Sequence, residues 1–171
     1  AIREDDRLEP YVISTGQQVE LLKKALDEFE IKPDIEIGLN FGNTHLPEQF
    51  GNLVGQIGTC LKKIGSSYVV IQGDTSSAFA GAVAGFLLKI PVGHVEAGLR
   101  SHDLSSPFPE EGYRTMISRI TTHHFAPTTA AFNNLISEGI TESSIHLVGN
   151  TVVDSIVKYS VFSIQNTKVK K

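Results

Sequence analysis

The sequence predicts an α/β domain built on a Rossmann-like, doubly wound parallel sheet, and three observations carry that expectation. Short β-branched runs alternate with longer segments whose apolar residues recur at helical spacing. The stretch from Tyr68 to Val95 reads as strand, turn, small-residue helix and second strand, the repeating unit of such a fold. No internal repeat or low-complexity segment points to a solenoid instead.

Taken in order, Tyr11 to Ser14 is a short apolar run ended by Thr15 and Gly16. Val19, Leu22, Leu26 and Phe29 follow at helical spacing until Pro33, which cannot continue a helix. Asp34 to Leu39 reads as a second strand and Asn40 to Leu46 as a loop. Pro47 suits the first turn of a helix whose buried stripe is Phe50, Val54, Ile57 and Leu61, up to Gly65. Tyr68 to Ile71 is a strand, Gly73 to Ser77 a turn, Ala78 to Leu88 a helix and Pro91 to Val95 a strand. A loop rich in Gly, Ser and Pro from Gly98 to Pro109 precedes a helix from Glu110 to about Ile120. Phe125 and Ala126 make a short strand, Thr129 to Ser137 a helix closed by Gly139, and Ile145 to Val148 a last strand. Val152 to about Val161 reads as the final helix.

Composition bounds the function. With 171 residues, 40% of them apolar and 20% charged, the chain has the size of one domain that needs no disulfide or metal staple. Fifteen Lys and Arg against nineteen Asp and Glu give a charge of −4, which provides no field for a phosphate backbone, so nucleic acid is not an expected partner. Lys168, Lys170 and Lys171 read as a frayed basic terminus. The lone Cys60 has no internal partner and sits in an apolar periodic segment, which fits a reducing, cytoplasmic setting. The uncharged run Ser76 to Leu88 is too short to span a bilayer, so no membrane partner is expected. Residues 1–6 lack the apolar centre of a secretion signal, and the absence of an initiator Met suggests a trimmed product or a piece of something longer.

Neither of the two commonest phosphate-loop motifs occurs, so the chemistry must rest on other residues. Asp74 and Glu96 each fall at the carboxyl end of a predicted strand, and the single helix between those strands makes them adjacent or one apart. Glu110 opens a helix across the Gly98 to Pro109 loop, which can fold over the same edge. Carboxylates crowded together repel and hold protons more readily, which suits general acid and base work. The bland alternative has Asp74 capping the next helix, Glu96 pairing with Arg100, and Glu110 favoured by a helix amino terminus. Gly73 and Gly93 favour function, since glycine beside such an acid lets a ligand approach the backbone. Arg100 and Arg114 suit two-point contact with phosphate or carboxylate, and Ser76 and Ser77 open a helix where a phosphate could bind. His94 with Glu96, or His102 with Asp103, lacks the spacing of a metal site, so no metal is expected; His123 and His124 read as structural.

Five strings then occur in one order: Gly73-Asp74-Thr75-Ser76-Ser77, His94-Val95-Glu96-Ala97-Gly98-Leu99-Arg100, Ser106-Pro107-Phe108-Pro109-Glu110-Glu111, Phe125-Ala126-Pro127-Thr128 and Gly149-Asn150-Thr151-Val152-Val153-Asp154. Together they closely resemble the non-hydrolysing UDP-N-acetylglucosamine 2-epimerases, from about Tyr11 to Ile156. The resemblance implies interconversion of UDP-N-acetylglucosamine and UDP-N-acetylmannosamine by elimination and re-addition of UDP, with no redox cofactor. It places the family's catalytic carboxylates on Asp74, Glu96 and Glu110, and substrate contacts on Gly73, Thr75, His94, Arg100, Glu111 and Arg114. Gly112 and Tyr113 depart from the family's pattern beside Arg114. Gln17 matches one residue of the segment with which bacterial members bind a second UDP-sugar as activator, while Val19 replaces its arginine.

The resemblance further implies one half of a glycosyltransferase-B-type, two-domain fold. Residues 1–151 would form an N-terminal domain without its opening strand, and 152–171 the start of the connection to a second domain. Partners expected on this basis are a UDP-sugar substrate and a homodimer mate or complementary domain. Two other readings stand beside it: a catalytically silent interaction or regulatory module of the same fold, and, outside the family, a flavodoxin-like or other sugar-nucleotide-binding domain.

Overall fold

Local chemistry sets the element boundaries in the computed structural model, which describes residues 2, 5–16, 19–38 and 45–157. The strands are β1 (Ile13–Ser14), β2 (Ile35–Glu36), β3 (Val69–Gln72), β4 (Val92–Val95), β5 (His123–Ala126) and β6 (Ile145–Leu147). The helices are α1 (Val19–Glu28), α2 (Leu46–Ile64), α3 (Ser76–Leu87), α4 (Glu110–Ile120) and α5 (Thr129–Ser137), with a 3-10 turn over Glu142–Ser144 and a further helical stretch at 151–157. Pro47 occupies the first turn of α2, and Gly65 ends it at φ 64°, sending its N–H back to the last carbonyls. Thr75 and Thr128 cap α3 and α5 by accepting hydrogen bonds from Ala78 N and Ala131 N.

All strand pairs are parallel, but the sheet is interrupted: β1 pairs only with β2, while β3, β4, β5 and β6 form a four-stranded sheet in sequence order. Among the described residues no strand joins β1 to β3. β1 and β2 are also shorter than the apolar runs that predict them. The two parts nevertheless share one core, in which Ile37 of the β2 end is buried with Leu53, Ile57 and Leu61 of α2, Val69 and Ile71 of β3, and Ile117 of α4.

The α2 stripe is turned slightly from the predicted one. Leu53 is the fully buried residue, whereas Phe50 and Val54 lie at the margin of the core. Phe50 instead stacks on Phe79 (ring centroids 4.8 Å apart), which stacks on Tyr113 at 4.9 Å. The small residues of α3 let its backbone lie close to the sheet, since a Cβ on Gly81 would stand 3.0 Å from Ile71.

A second cluster of Ala97, Ala126, Ala131, Leu135 and Ile145 packs α5 against β5 and β6. β5 starts two residues before the predicted strand, at His123, because the imidazole of the buried His124 meets the Ser118 carbonyl 3.0 Å away and so tolerates a core position. On the opposite face of the sheet, Tyr68 stacks on His123 and His146 on Phe125. Gly93 belongs to this packing rather than to a ligand approach: a Cβ there would meet the Tyr68 hydroxyl at 2.7 Å.

Candidate active site

The site grows from the ends of β3 and β4. These strands are direct neighbours, paired with Gln72 opposite Val95, and the Gly73 N–H donates to the Val95 carbonyl at 3.1 Å. Gly73 takes φ +71°, a turn that glycine makes without strain, and delivers Asp74 to the rim just before the Thr75 cap of α3. Glu96 follows β4 at φ +70°, a left-handed conformation that costs a residue with a Cβ about 1 kcal/mol or more. Its carboxylate lies over the neighbouring turn, since a Cβ on Gly73 would stand 3.7 Å from Glu96 Oε2. Asp74 and Glu96 are thus held at one rim by adjacent strands.

α4 brings an arginine to the same place. Arg114 Nε donates to Asp74 Oδ2 at 2.8 Å, and its Nη1 donates to Glu111 Oε2 at 3.1 Å, so one guanidinium joins the two carboxylates. The Glu111 side chain is 2% exposed, and its other oxygen accepts the His102 N–H at 3.0 Å, which ties the Gly98–Pro109 loop to the head of α4. Burial pushes the Glu111 carboxyl up, but the amides of Ser101 and His102 together with Arg114 outweigh it and hold the group below its usual value. For Arg114 burial likewise opposes the charge, and Glu111 and Asp74 prevail to raise its pKa. Glu110 stands at the first position of α4, partly buried, with no hydrogen bond or ion pair to Asp74 or Glu96.

Other predicted ligand contacts are supports lying behind the rim. His94 is 1% exposed and presents Nε2 to the Gly73 carbonyl at 2.8 Å, bracing the turn that carries Asp74. Its Nδ1 has no hydrogen-bond partner, and burial drives its pKa down to about 4, so the ring is neutral and Nε2 is the donor. The Arg100 side chain, 2% exposed, makes a two-point pair with Glu138 (2.6 and 2.9 Å) and donates to Ser118 Oγ at 2.8 Å. Its remaining bond runs from Nη1 to the Leu99 carbonyl at 2.7 Å, so it is committed to the protein and does not pair with Glu96. Helix capping next to Asp74 is done by Thr75, which frees the aspartate for Arg114. Gln17, the loop around residue 42 and the terminal lysines lie outside the described residues.

Sequence reasoning missed Glu138 and Ser118, whose link to Arg100 spans 38 and 18 residues and leaves no local signal. It also missed the role of Tyr113. That residue completes the Phe50–Phe79 stack and brings its hydroxyl 3.5 Å from Ser76 Oγ at the start of α3, which accounts for an aromatic residue beside Arg114. The Gly98–Pro109 loop exposes Leu104 and Phe108 to solvent. Among the described residues no group of His, Cys, Asp or Glu is arranged to hold a metal ion, and no helix is long and apolar enough to cross a membrane.

A parallel α/β domain that sets carboxylates and an arginine at the carboxyl ends of neighbouring strands belongs to the class of doubly wound, ligand-binding domains. The family model for UDP-N-acetylglucosamine 2-epimerase matches residues 1–171, and the chain belongs to that family. It is 39% identical over 160 residues to the UDP-N-acetylglucosamine 2-epimerase of Neisseria meningitidis, covering 94% of this chain and 43% of the relative. It is 36% identical over 157 residues to the Escherichia coli K12 enzyme of the same name, covering 92% of this chain and 42% of the relative. The crystal structure of the Neisseria meningitidis epimerase bound to UDP-GlcNAc superimposes with a TM-score of 0.90 at 37% identity, over 99% of this chain and 46% of that one. The Methanocaldococcus jannaschii epimerase in complex with UDP-GlcNAc and UDP matches with a TM-score of 0.85 at 38% identity, over 92% of this chain and 43% of that one. The chain therefore spans under half the length of these relatives. Its fold is the N-terminal half of their glycosyltransferase-B-like architecture.

Proposed function

We propose that this chain supplies the N-terminal half of the active site of a UDP-N-acetylglucosamine 2-epimerase, with residues 1–151 as the domain and 152–171 leading toward a second one. The observation that carries the reading is the placement of Glu96, strained at φ +70°, with its carboxylate over the turn that bears Asp74. Glu30, Lys89 and His102 also take positive φ, but Glu96 alone of these four stands directly after a strand of the sheet with its carboxylate beside the Gly73 turn, which supports chemistry at the rim.

In this reading Asp74, Glu96 and Glu110 are the catalytic carboxylates. One removes the proton from C2 of the sugar as the C1–O bond breaks, and the electron pair of that bond leaves on UDP to give a 2-acetamidoglucal. Return of a proton to the other face of C2 and of the UDP oxygen to C1 completes the inversion. Arg114 orients Asp74 through a hydrogen bond, Gly73 and Thr75 line the rim, and His94, Arg100 and Glu111 position the turn and the loop. A half site open to solvent does not exclude water or hold UDP while the sugar reacts. The exposed Leu104 and Phe108 at the rim, and Val152, Val153 and Ile156 on the 151–157 helix, are the surfaces that a complementary domain or a second copy covers. We place the protein in the cytoplasm, where UDP-sugars and the unpaired Cys60 are both at home.

A coupled assay with UDP-N-acetylglucosamine tests this. Purified residues 1–171 alone give no turnover, and addition of the C-terminal remainder of the Neisseria meningitidis relative restores it. Turnover by the isolated chain, or restored turnover unchanged by Asp74→Asn and Glu96→Gln, contradicts the reading.

A further inference from the structure

Asp74 reaches the rim on a turn, and the bonds that fix its carboxylate come from another helix. Arg114 Nε and Nη2 both approach Oδ2, at 2.8 and 2.6 Å, which leaves Oδ1 outside the pair. The guanidinium's second partner, Glu111, stands three residues away on α4 itself, so that bond travels with the helix and does not set where the guanidinium lies relative to Asp74. The placement must come from how α4 docks on α3.

Tyr113, the residue before Arg114, makes that contact. It is 7% exposed, and its ring stacks on Phe79 in the first turn of α3 with centroids 4.9 Å apart and planes 28° from parallel. Phe79 stacks in turn on Phe50 of α2 at 4.8 Å and 22°. Rings at this spacing have a preferred offset, so the pair resists sliding of one helix along the other in a way that interchangeable aliphatic contacts do not. The Tyr113 hydroxyl lies 3.5 Å from Ser76 Oγ, at the outer limit of a hydrogen bond, so the ring rather than the hydroxyl carries the contact. Ile117, one turn further along α4, is buried in the same core and keeps the helix attached independently of the ring. What Tyr113 adds is register.

We propose that Tyr113 is a positioning residue: its ring, stacked on Phe79, fixes α4 against the first turn of α3 and so holds the Arg114 guanidinium on Asp74. The effect on the ion pair stands on this geometry alone, and its consequence for turnover rests on the epimerase reading.

Exchange of the Arg114 Nε–H with water, followed by NMR in the full 171-residue chain and assigned by its loss in Arg114→Met, tests the first part. The Arg100 Nε–H, bonded to Glu138 at 2.6 Å and outside the stack, is the internal reference. Tyr113→Leu is expected to speed Arg114 exchange about tenfold or more relative to Arg100, and Tyr113→Phe to leave it at the parent rate. Phe79→Leu, which removes the partner ring, is expected to act as Tyr113→Leu does. Unchanged Arg114 exchange overturns the proposal, and so does equal acceleration of both side chains, the mark of general loosening. In the epimerase reconstituted with the C-terminal remainder, Tyr113→Leu lowers kcat about tenfold or more with KM little changed, and Tyr113→Phe restores it. In an Arg114→Met background Tyr113→Leu adds no further loss; additive losses overturn the proposal. A reconstituted parent without turnover contradicts the epimerase reading and leaves the exchange result to decide the role of Tyr113.

Discussion

Asp74 and Glu111 share one arginine but live in different surroundings, and their variants separate the two roles. The Asp74 side chain is about a quarter exposed, so Asp74→Asn exchanges a partly solvated pair for an amide and costs less than about 1 kcal/mol of stability. Arg114→Met also strips the buried Glu111, leaving a carboxylate in the interior with only backbone donors, and we expect a loss of about 3 kcal/mol. Urea denaturation measures both, and equal losses contradict the assignment. His94 gives a pH signature. Its folded pKa of about 4 lies below the ordinary 6.5, so the folded chain keeps the ring neutral while the unfolded chain takes up a proton. The stability it contributes is complete above pH 6.5 and is lost as pH falls toward about 4, on the order of 3 kcal/mol in all. His124, its pKa also lowered by burial, adds a loss of the same sign. Replacement by Gln keeps an N–H for the Gly73 carbonyl without the titration, so His94→Gln flattens this acid limb; an unchanged slope contradicts the buried, neutral imidazole.

At the scale of elements, the Gly98–Pro109 loop is anchored where it leaves the sheet. Gly98 has φ +87°, and a Cβ there would meet the Ala131 carbonyl oxygen at 2.2 Å, a backbone atom of α5 that cannot turn aside. Gly98→Ala should therefore push the loop off α5 and lower stability by about 3 kcal/mol or more, read as a drop in Tm. A near-neutral effect would show that the loop and α5 are not in contact. The helices were the most legible elements, because Pro47, Gly65, Pro109 and Gly139 mark their ends, although α3 starts two residues before the Ala78 expected and its cap is Thr75 rather than Asp74. β3 and β4 were legible from their β-branched runs, and Asp74 and Glu96 from standing directly after them. β5 was read too short because His123 and His124 look polar until the Ser118 carbonyl receives His124. The pairing of Arg100 with Glu138 and the stacking of Tyr113 on Phe79 were not legible, since both depend on which helices become neighbours rather than on local spacing.

For the whole molecule, the sheet is interrupted between β1 and β3 among the described residues, and one of its faces is largely uncovered. The four-stranded sheet has helices over the face that holds Val69, Ile71, His94 and His124, while Tyr68 and Val70 on the other face remain exposed. Parallel sheets are normally covered on both faces. The central claim is that the carboxylates at the ends of β3 and β4 move the proton at C2 of a UDP-sugar once that covering is supplied. The most direct measurement runs the reconstituted enzyme in D2O and follows C2 of the epimerised product by NMR, for the parent and for Asp74→Asn and Glu96→Gln. The account predicts deuterium at C2 in the parent and a fall in its incorporation rate of about a hundredfold or more in each variant. Product that retains its original hydrogen at C2, or variants that exchange at the parent rate, would contradict it.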